Sequence, residues 1–408
     1  MTNQNFRPHV RLIIVAALGY FVDIYDLIVF NVVKKESLES LGFVGDAFKT
    51  QEIALFNYQM IGMLLGGILF GVFGDKKGRI SVLFGSIFLY SAANIANAYV
   101  DNINSYALCR FIAGIGLAGE LGAGITLIAE TMHKDKRGYG TMIIVTFGAL
   151  GAVVASLVGN YFGWKMTYLI GGGMGLLLLL LRAGTFESNM FKQLKSSNHP
   201  KGNFFMLFKS WNIFSKYLAS ILIGLPVWFV IGILFALSNQ FAEANGVQGG
   251  TVLVSKSVMY GYIGLSLGDL MSGLLSQWLK SRKKVVVFYL FFSLIISGIY
   301  LFGKGLSISV FYFLIFCLGL ATGYWALFVT MASEQFGTNI RSTVTTTVPN
   351  FVRGSVVPMT LSFKFLIPTV GIIASASIVG LVSIGIALLC TWYVEESFSK
   401  DLDYLEIS

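Results

Sequence analysis

Few charged residues interrupt the apolar stretches of this chain, and those few set its chemistry. The first apolar stretch reads Gly19-Tyr-Phe-Val-Asp23-Ile-Tyr25-Asp26-Leu27. Carboxylates at i and i+3 lie about 60° apart on one side of a helix. Two acids this close resist both being charged, which suits a proton carrier; alternatively, one of them merely satisfies Tyr25 or a backbone group. A later stretch runs from Arg110 through Gly114, Gly116 and Gly119 to Glu120, Gly122 and Gly124. On a continuous helix Arg110 and Glu120 stand roughly 15 Å apart, too far for a direct pair. Arg110 is therefore expected to reach Asp23 or Asp26 across the bundle. Glu120 and Asp26 are the first candidates for proton coupling, with Asp23 next. Arg353 follows Asn350 between Pro349 and Pro358. Prolines around a buried arginine suggest an interrupted helix lining a cavity. The guanidinium fork suits a carboxylate or phosphate, or else it partners Asp269. Trp228, beside Pro226, offers an aromatic wall. The candidate substrate-binding set is Tyr25, Glu120, Trp228, Asp269 and Arg353.

The elements that position these groups follow from composition. Hydrophobic residues make up 55% of the 408 and charged residues 12%, with a mean hydropathy of +0.75. A soluble surface cannot be covered with so few charges. Long apolar runs without two-residue alternation predict membrane helices rather than a barrel. Twelve spans are expected: 11–33, 52–74, 80–100, 105–130, 139–162, 164–183, 212–236, 252–279, 284–303, 306–331, 342–368 and 370–394. The formal charge of +9 does not point to nucleic acid, because basic residues are scattered between spans. Most of the 29 Lys and Arg fall on alternate connections, which places both termini in the cytoplasm. In this reading Lys34 lies in an outside connection. Cys109, Cys317 and Cys390 lie within spans as packing residues, and His9, His133 and His199 form no metal set. No cofactor is expected. The polar, basic stretch 184–211 reads as a cytoplasmic linker between residues 1–183 and 212–408, each half a six-helix bundle, the second with a cytoplasmic tail. Gly62, Gly66, Gly67 and Gly71 suit close helix packing.

Charges also repeat. Glu130 is followed by Arg137, and half the chain length later Glu334 is followed by Arg341. Two copies of one unit, each with an acid and a base at the inner mouth, are the architecture of secondary transporters.

The stretch Gly71-Val-Phe-Gly-Asp75-Lys-Lys-Gly78-Arg79 resembles the signature loop of the major facilitator superfamily, Gly-x-x-x-Asp-x-x-Gly-Arg. Asp75 can meet the positive end of a neighbouring helix, and Arg79 can pair with an acid such as Glu130. A degenerate copy, Gly273-Leu-Leu-Ser-Gln277 with Lys280 and Arg282, has lost the acid. Arg79, Glu130 and Arg137 resemble the inner-gate cluster of the sugar porters, and Arg282, Glu334 and Arg341 repeat it. The resemblance thus implies gating for Asp75, Arg79, Glu130, Arg137, Arg282, Glu334 and Arg341. Phe186-Glu187-Ser188 and the tail from Glu395 to Glu406 are similar to further sugar-porter stretches. Arg110 with Gly114 is similar to a fourth-helix motif linked to proton coupling. The first span resembles those of phosphate and metabolite proton symporters. Phosphate is disfavoured by Leu121 and Gly232 where phosphate symporters differ, and the Glu120 surroundings look more like the metabolite symporters. The resemblance implies an all-α protein that imports a small polar metabolite, a carboxylate or amino acid, with protons. A sugar or phosphate symporter is the alternative, and an exporter the third. No ATP-binding loop is present, so a gradient supplies the energy and no enzyme activity is expected. The expected setting is a bacterial inner membrane, with the lipid bilayer, substrate and protons as partners and the protein as a monomer.

Overall fold

A computed structural model describes residues 6–132, 137–181 and 204–400, with the side chains of 6–12, 79, 80 and 137 left aside. The expected linker falls mostly on 182–203, outside the described residues, as do Phe186-Glu187-Ser188 and the tail from residue 401.

In lipid a backbone must satisfy its own hydrogen bonds, and these apolar runs do so as helices. The chain is all-α: twelve transmembrane helices in two six-helix repeats. They are Phe6–Ser40, Gly45–Lys77, Arg79–Asn97, Ile103–Thr131, 137–162, 164–181, 211–244, Val254–Leu279, Arg282–Phe302, Ile308–Glu334, 341–370 and 372–393. Gly163 (φ 73°) separates the fifth and sixth helices, and Gly371 (φ 81°) separates the eleventh and twelfth at the matching place in the second copy. That left-handed φ favours glycine and turns the chain without a loop.

Two expectations change here. The first helix continues to Ser40, so Lys34 lies within it and is buried, not in an outside connection. The fourth helix is not continuous: Ile103–Leu117 ends, Ala118 and Gly119 turn, and Glu120–Thr131 begins anew. Further breaks fall at Gly224 and the π-helical turn Val230–Phe235 in the seventh helix, at 322–324 in the tenth and at Ser355 in the eleventh. Backbone groups freed at such breaks are tolerated at membrane depth only where other protein groups meet them.

Glycines bring helix backbones together in the same pairing in both halves. Gly62 and Gly66 press on the fourth helix at Phe111 and Ile115, while Gly264 and Gly268 press on the tenth at Phe316 and Leu320. Gly67 and Gly71 turn the other way, against Asn350 and Thr343 of the eleventh helix. The second helix thus uses one glycine-bearing segment for two neighbours. Where the halves also meet between the fifth and eighth helices, Ser266 donates to the Thr146 carbonyl at 2.8 Å.

Candidate functional site

The two acids of the first helix point into different surroundings. Asp23 faces the second half, with Oδ2 3.7 Å from Arg353 Nη2. Arg353 ends the segment Arg341–Gly354 of the eleventh helix and is buried. Its guanidinium donates to Asn350 Oδ1 at 3.3 Å and to the Tyr20 hydroxyl at 3.5 Å. The same group sits 5.9 Å from the ring centres of both Trp228 and Trp325, within cation–π range. These two rings meet edge to face at 6.4 Å, and Trp325 Nε1 donates to Tyr20 at 3.1 Å. Tyr20, Trp228, Trp325 and Tyr262 wall a central cavity of about 20 Å³ between the halves. That volume admits a water and nothing larger, so a substrate requires these walls to part.

Asp26 faces the interior of the first half. Its carboxylate leans on Gly171 of the sixth helix, and a Cβ there would collide with it. It lies beside Asn94 and within electrostatic reach of Asp23 and Arg110. Arg110 donates to Gln59 Oε1 and is flanked by the Phe30 and Tyr168 rings, 5.5 and 5.7 Å from their centres. The Tyr168 and Tyr106 hydroxyls meet at 2.8 Å, and Tyr106 donates to Ser37 at 3.1 Å. Arg110 therefore belongs to this interior cluster and not to the cavity, while Arg353 takes Asp23.

Other candidates are placed elsewhere than the sequence implied. Asp269 does not hold Arg353: its Oδ1 accepts from the Ala326 amide at 2.9 Å. The break at 322–324 leaves bare amides at the start of Trp325–Glu334, and a carboxylate caps them. Tyr25 turns from the cavity and donates to the Thr167 carbonyl at 2.9 Å, tying the first helix to the sixth. Glu120 is buried in the first turn of its segment, where the helix dipole favours a carboxylate, and it does not line the cavity. The Ala118 carbonyl freed just before it accepts from Asn350 at 2.8 Å. Trp228 faces the cavity, while the adjacent Phe229 packs on Gly380 instead.

Away from the cavity, at the Asp75 end, the halves are sealed. Asp75 is buried and receives the Ser342 amide at 3.2 Å, the Thr343 amide at 2.8 Å and the Thr343 hydroxyl at 2.6 Å, all at the start of the eleventh helix. Thr126 and Thr345 hydroxyls meet across the same seam, and Gly122 lies against Thr346. Glu130 pairs with Arg341 of the other half at 3.8 Å, and Arg282 with Glu334 at 3.3 Å. The side chains of Arg79 and Arg137 lie outside the described residues. Gln277 holds the place matching Asp75 in the second copy, and its amide crowds Gly138 at the start of the fifth helix. Beyond the twelfth helix, Ser397 donates to Glu334 at 2.7 Å and Phe398 lies 5.0 Å from the Arg282 guanidinium. Glu396 accepts from the Ser281 hydroxyl at 2.6 Å and from the Arg282 and Lys283 amides at 3.0 and 3.3 Å. Burial pushes its carboxyl up, but hydrogen bonds from Ser281 and the amides of Arg282, Phe398 and Lys283 outweigh it. They hold the group below the usual range.

At the opposite, Lys34 end both halves line a vestibule of about 420 Å³, from Asn31 and Glu52 to Gln240 and Ser255, and the halves still meet there through Lys34, which donates to the Ala236 carbonyl at 3.1 Å. Sequence reasoning missed Tyr20, Tyr262, Trp325 and Lys34. Two of them carried a signal: Tyr20 precedes Asp23 by three residues and Tyr262 precedes Asp269 by seven, each spacing marking one helix face.

Comparison with known proteins gives a match to the family model described as Major Facilitator Superfamily over residues 16–359. A Bacillus subtilis (strain 168) protein named as a niacin/nicotinamide transporter, NiaP, is 26% identical over 84% of this chain and 85% of its own. The 3-(3-hydroxy-phenyl)propionate transporter of Escherichia coli (strain K12) is 27% identical over 85% of this chain and 87% of its own. The solved structure of the proton:xylose symporter XylE superposes with a TM-score of 0.76 at 16% identity, covering 98% of both chains.

Proposed function

The chain belongs to the major facilitator superfamily, and from that premise we propose that it imports a small ring-bearing carboxylate together with protons. It is a multi-pass membrane transporter of small molecules. The observation that carries the substrate reading is Arg353, a buried guanidinium beside two tryptophans at the meeting of the halves. A guanidinium binds a carboxylate bidentately, and the flanking rings suit a flat apolar body. The names of NiaP and the hydroxyphenylpropionate transporter support the same class.

Coupling follows from the Asp23–Arg353 pair. A proton on Asp23 removes its attraction for Arg353, which is then free for the substrate carboxylate. With Asp23 ionised, the aspartate competes for Arg353 and favours release. Asp26 and Glu120 are the further proton-coupling candidates, Asp26 through its position near Arg110. The Asp75 end is the cytoplasmic mouth, gated by Asp75, Glu130, Arg341, Arg282 and Glu334 with Arg79 and Arg137. The basic residues of alternate connections support that orientation, with both termini in the cytoplasm of a bacterial inner membrane. The two bundles rock about the central cavity as a monomer.

The test is a thermal-shift panel on purified protein at two pH values, with nicotinate, benzoate, 3-phenylpropionate, aliphatic acids, amino acids, sugars and phosphate. A binder stabilises the folded state by mass action. Ring carboxylates are expected to raise the Tm, more so at the lower pH, and Arg353→Gln to abolish the shift. Stabilisation by sugars or phosphate alone overturns the substrate reading.

A further inference from the structure

We infer that Lys34 and Glu52 form the closing tie of the vestibule end, and that the tie reads the state of the central cavity through the seventh helix. Lys34 Nζ lies 2.6 Å from Glu52 Oε2, and only 8% and 5% of the two side chains are exposed. The same ammonium donates to the Ala236 carbonyl of the second half at 3.1 Å. Glu52 belongs to the second helix, so it fixes the lysine within its own half while Lys34 reaches across. Lys34 therefore makes a cross-half hydrogen bond at the floor of the 420 Å³ vestibule.

The acceptor is available because the seventh helix leaves register there. After the π-helical turn Val230–Phe235, the Gln240 and Phe241 amides both bond to the Leu237 carbonyl. That leaves the Ala236 carbonyl to Lys34. The Ala236 amide in turn bonds to the Ile231 carbonyl at 3.3 Å, and Ile231 lines the central cavity beside Trp228. A π-turn holds one residue more than an α-turn and relaxes with a shift of register. Pressure on Ile231 from a bound solute is thus passed within one π-turn, and on Trp228 within about two, to the carbonyl that Lys34 holds.

This inference rests on the alternating-access reading but not on the substrate's identity, so it is tested without substrate. Asp101→Cys and Lys304→Cys place spin labels on exposed connections at the Lys34 end, one in each half, in a background lacking the three native cysteines. Distances are measured by pulsed electron spin resonance on the full chain in nanodiscs. Lys34→Gln and Glu52→Gln are each expected to enlarge the long-distance population several-fold. Lys34→Arg, which keeps charge and donors, is expected to retain the short one. The ion pair of Glu52 is with Lys34 of its own half, so its variant keeps the test decisive if Lys34→Gln does not fold. Unchanged distributions in Lys34→Gln and Glu52→Gln overturn the tie, as does a Lys34→Arg distribution that opens like Lys34→Gln. Loss of carboxylate binding with these distances intact defeats the substrate reading alone.

Discussion

Replacing Asp75 with asparagine keeps the size of the side chain and removes its charge from the start of the eleventh helix. Three donors converge on that carboxylate, at 3.2, 2.8 and 2.6 Å. Hydrogen bonds to a charged group contribute about 1.5–3 kcal/mol each, against about 0.5–1.5 for neutral pairs. A buried carboxylate at a helix N-terminus adds up to about 2 kcal/mol through the dipole. The asparagine oxygen still accepts from one donor, while its amide now faces N–H groups. The expected loss is about 3 kcal/mol of closure at the Asp75 end. At about 1.4 kcal/mol per tenfold, the closed-to-open ratio falls roughly 100-fold. Spin labels at Lys76→Cys and Lys284→Cys, exposed positions in the two halves, report that ratio as a distance distribution. A ratio within about threefold of the parent refutes the assignment of closure to this contact.

Other outcomes are expected. Arg353→Lys keeps the charge but loses the fork and its stacking reach to Trp228 and Trp325, so substrate Kd measured by calorimetry should rise about 10- to 100-fold. An unchanged Kd places the substrate elsewhere. Glu396 has a folded pKa below its unfolded value. Its stabilising effect is therefore complete above the unfolded value, about pH 4.3, and lost as pH falls through the folded one. The Tm gap between the parent and Glu396→Gln should narrow on acidification from pH 6 to pH 3, and a gap that persists at low pH rejects the linkage.

The helical spans were legible because membrane helices need long apolar runs, and most predicted bounds lie within a few residues of those found. What periodicity could not supply was direction. Asp23 and Asp26 stood out by charge, yet the sequence does not say that one faces the second half and the other the sixth helix. That choice depends on where Gly171 opens space and where Arg353 ends its helix segment. The breaks in the fourth and tenth helices were also hidden, since no proline marks them. Asp269 could not be assigned without the tenth-helix break, because the amide it caps exists only there. Lys34 was misplaced because a lone lysine near a span end is ordinarily solvated. Its partner Glu52 lies in the next helix and its acceptor in the other half, neither visible locally.

Asp75 and Gln277 occupy corresponding places in the two copies, over the starts of the eleventh and fifth helices. One carries a full negative charge and the other only an amide. A duplicated protein with two equal locks would part evenly along its seam. On the gating proposed above, the Gln277 contact, with the Arg282 guanidinium beside it at Gly138, lacks the acid that Asp75 supplies, so the edge at the fifth helix is expected to yield before the edge at the eleventh. On that reading the two copies match in their helices and differ in the order in which their seam is expected to part.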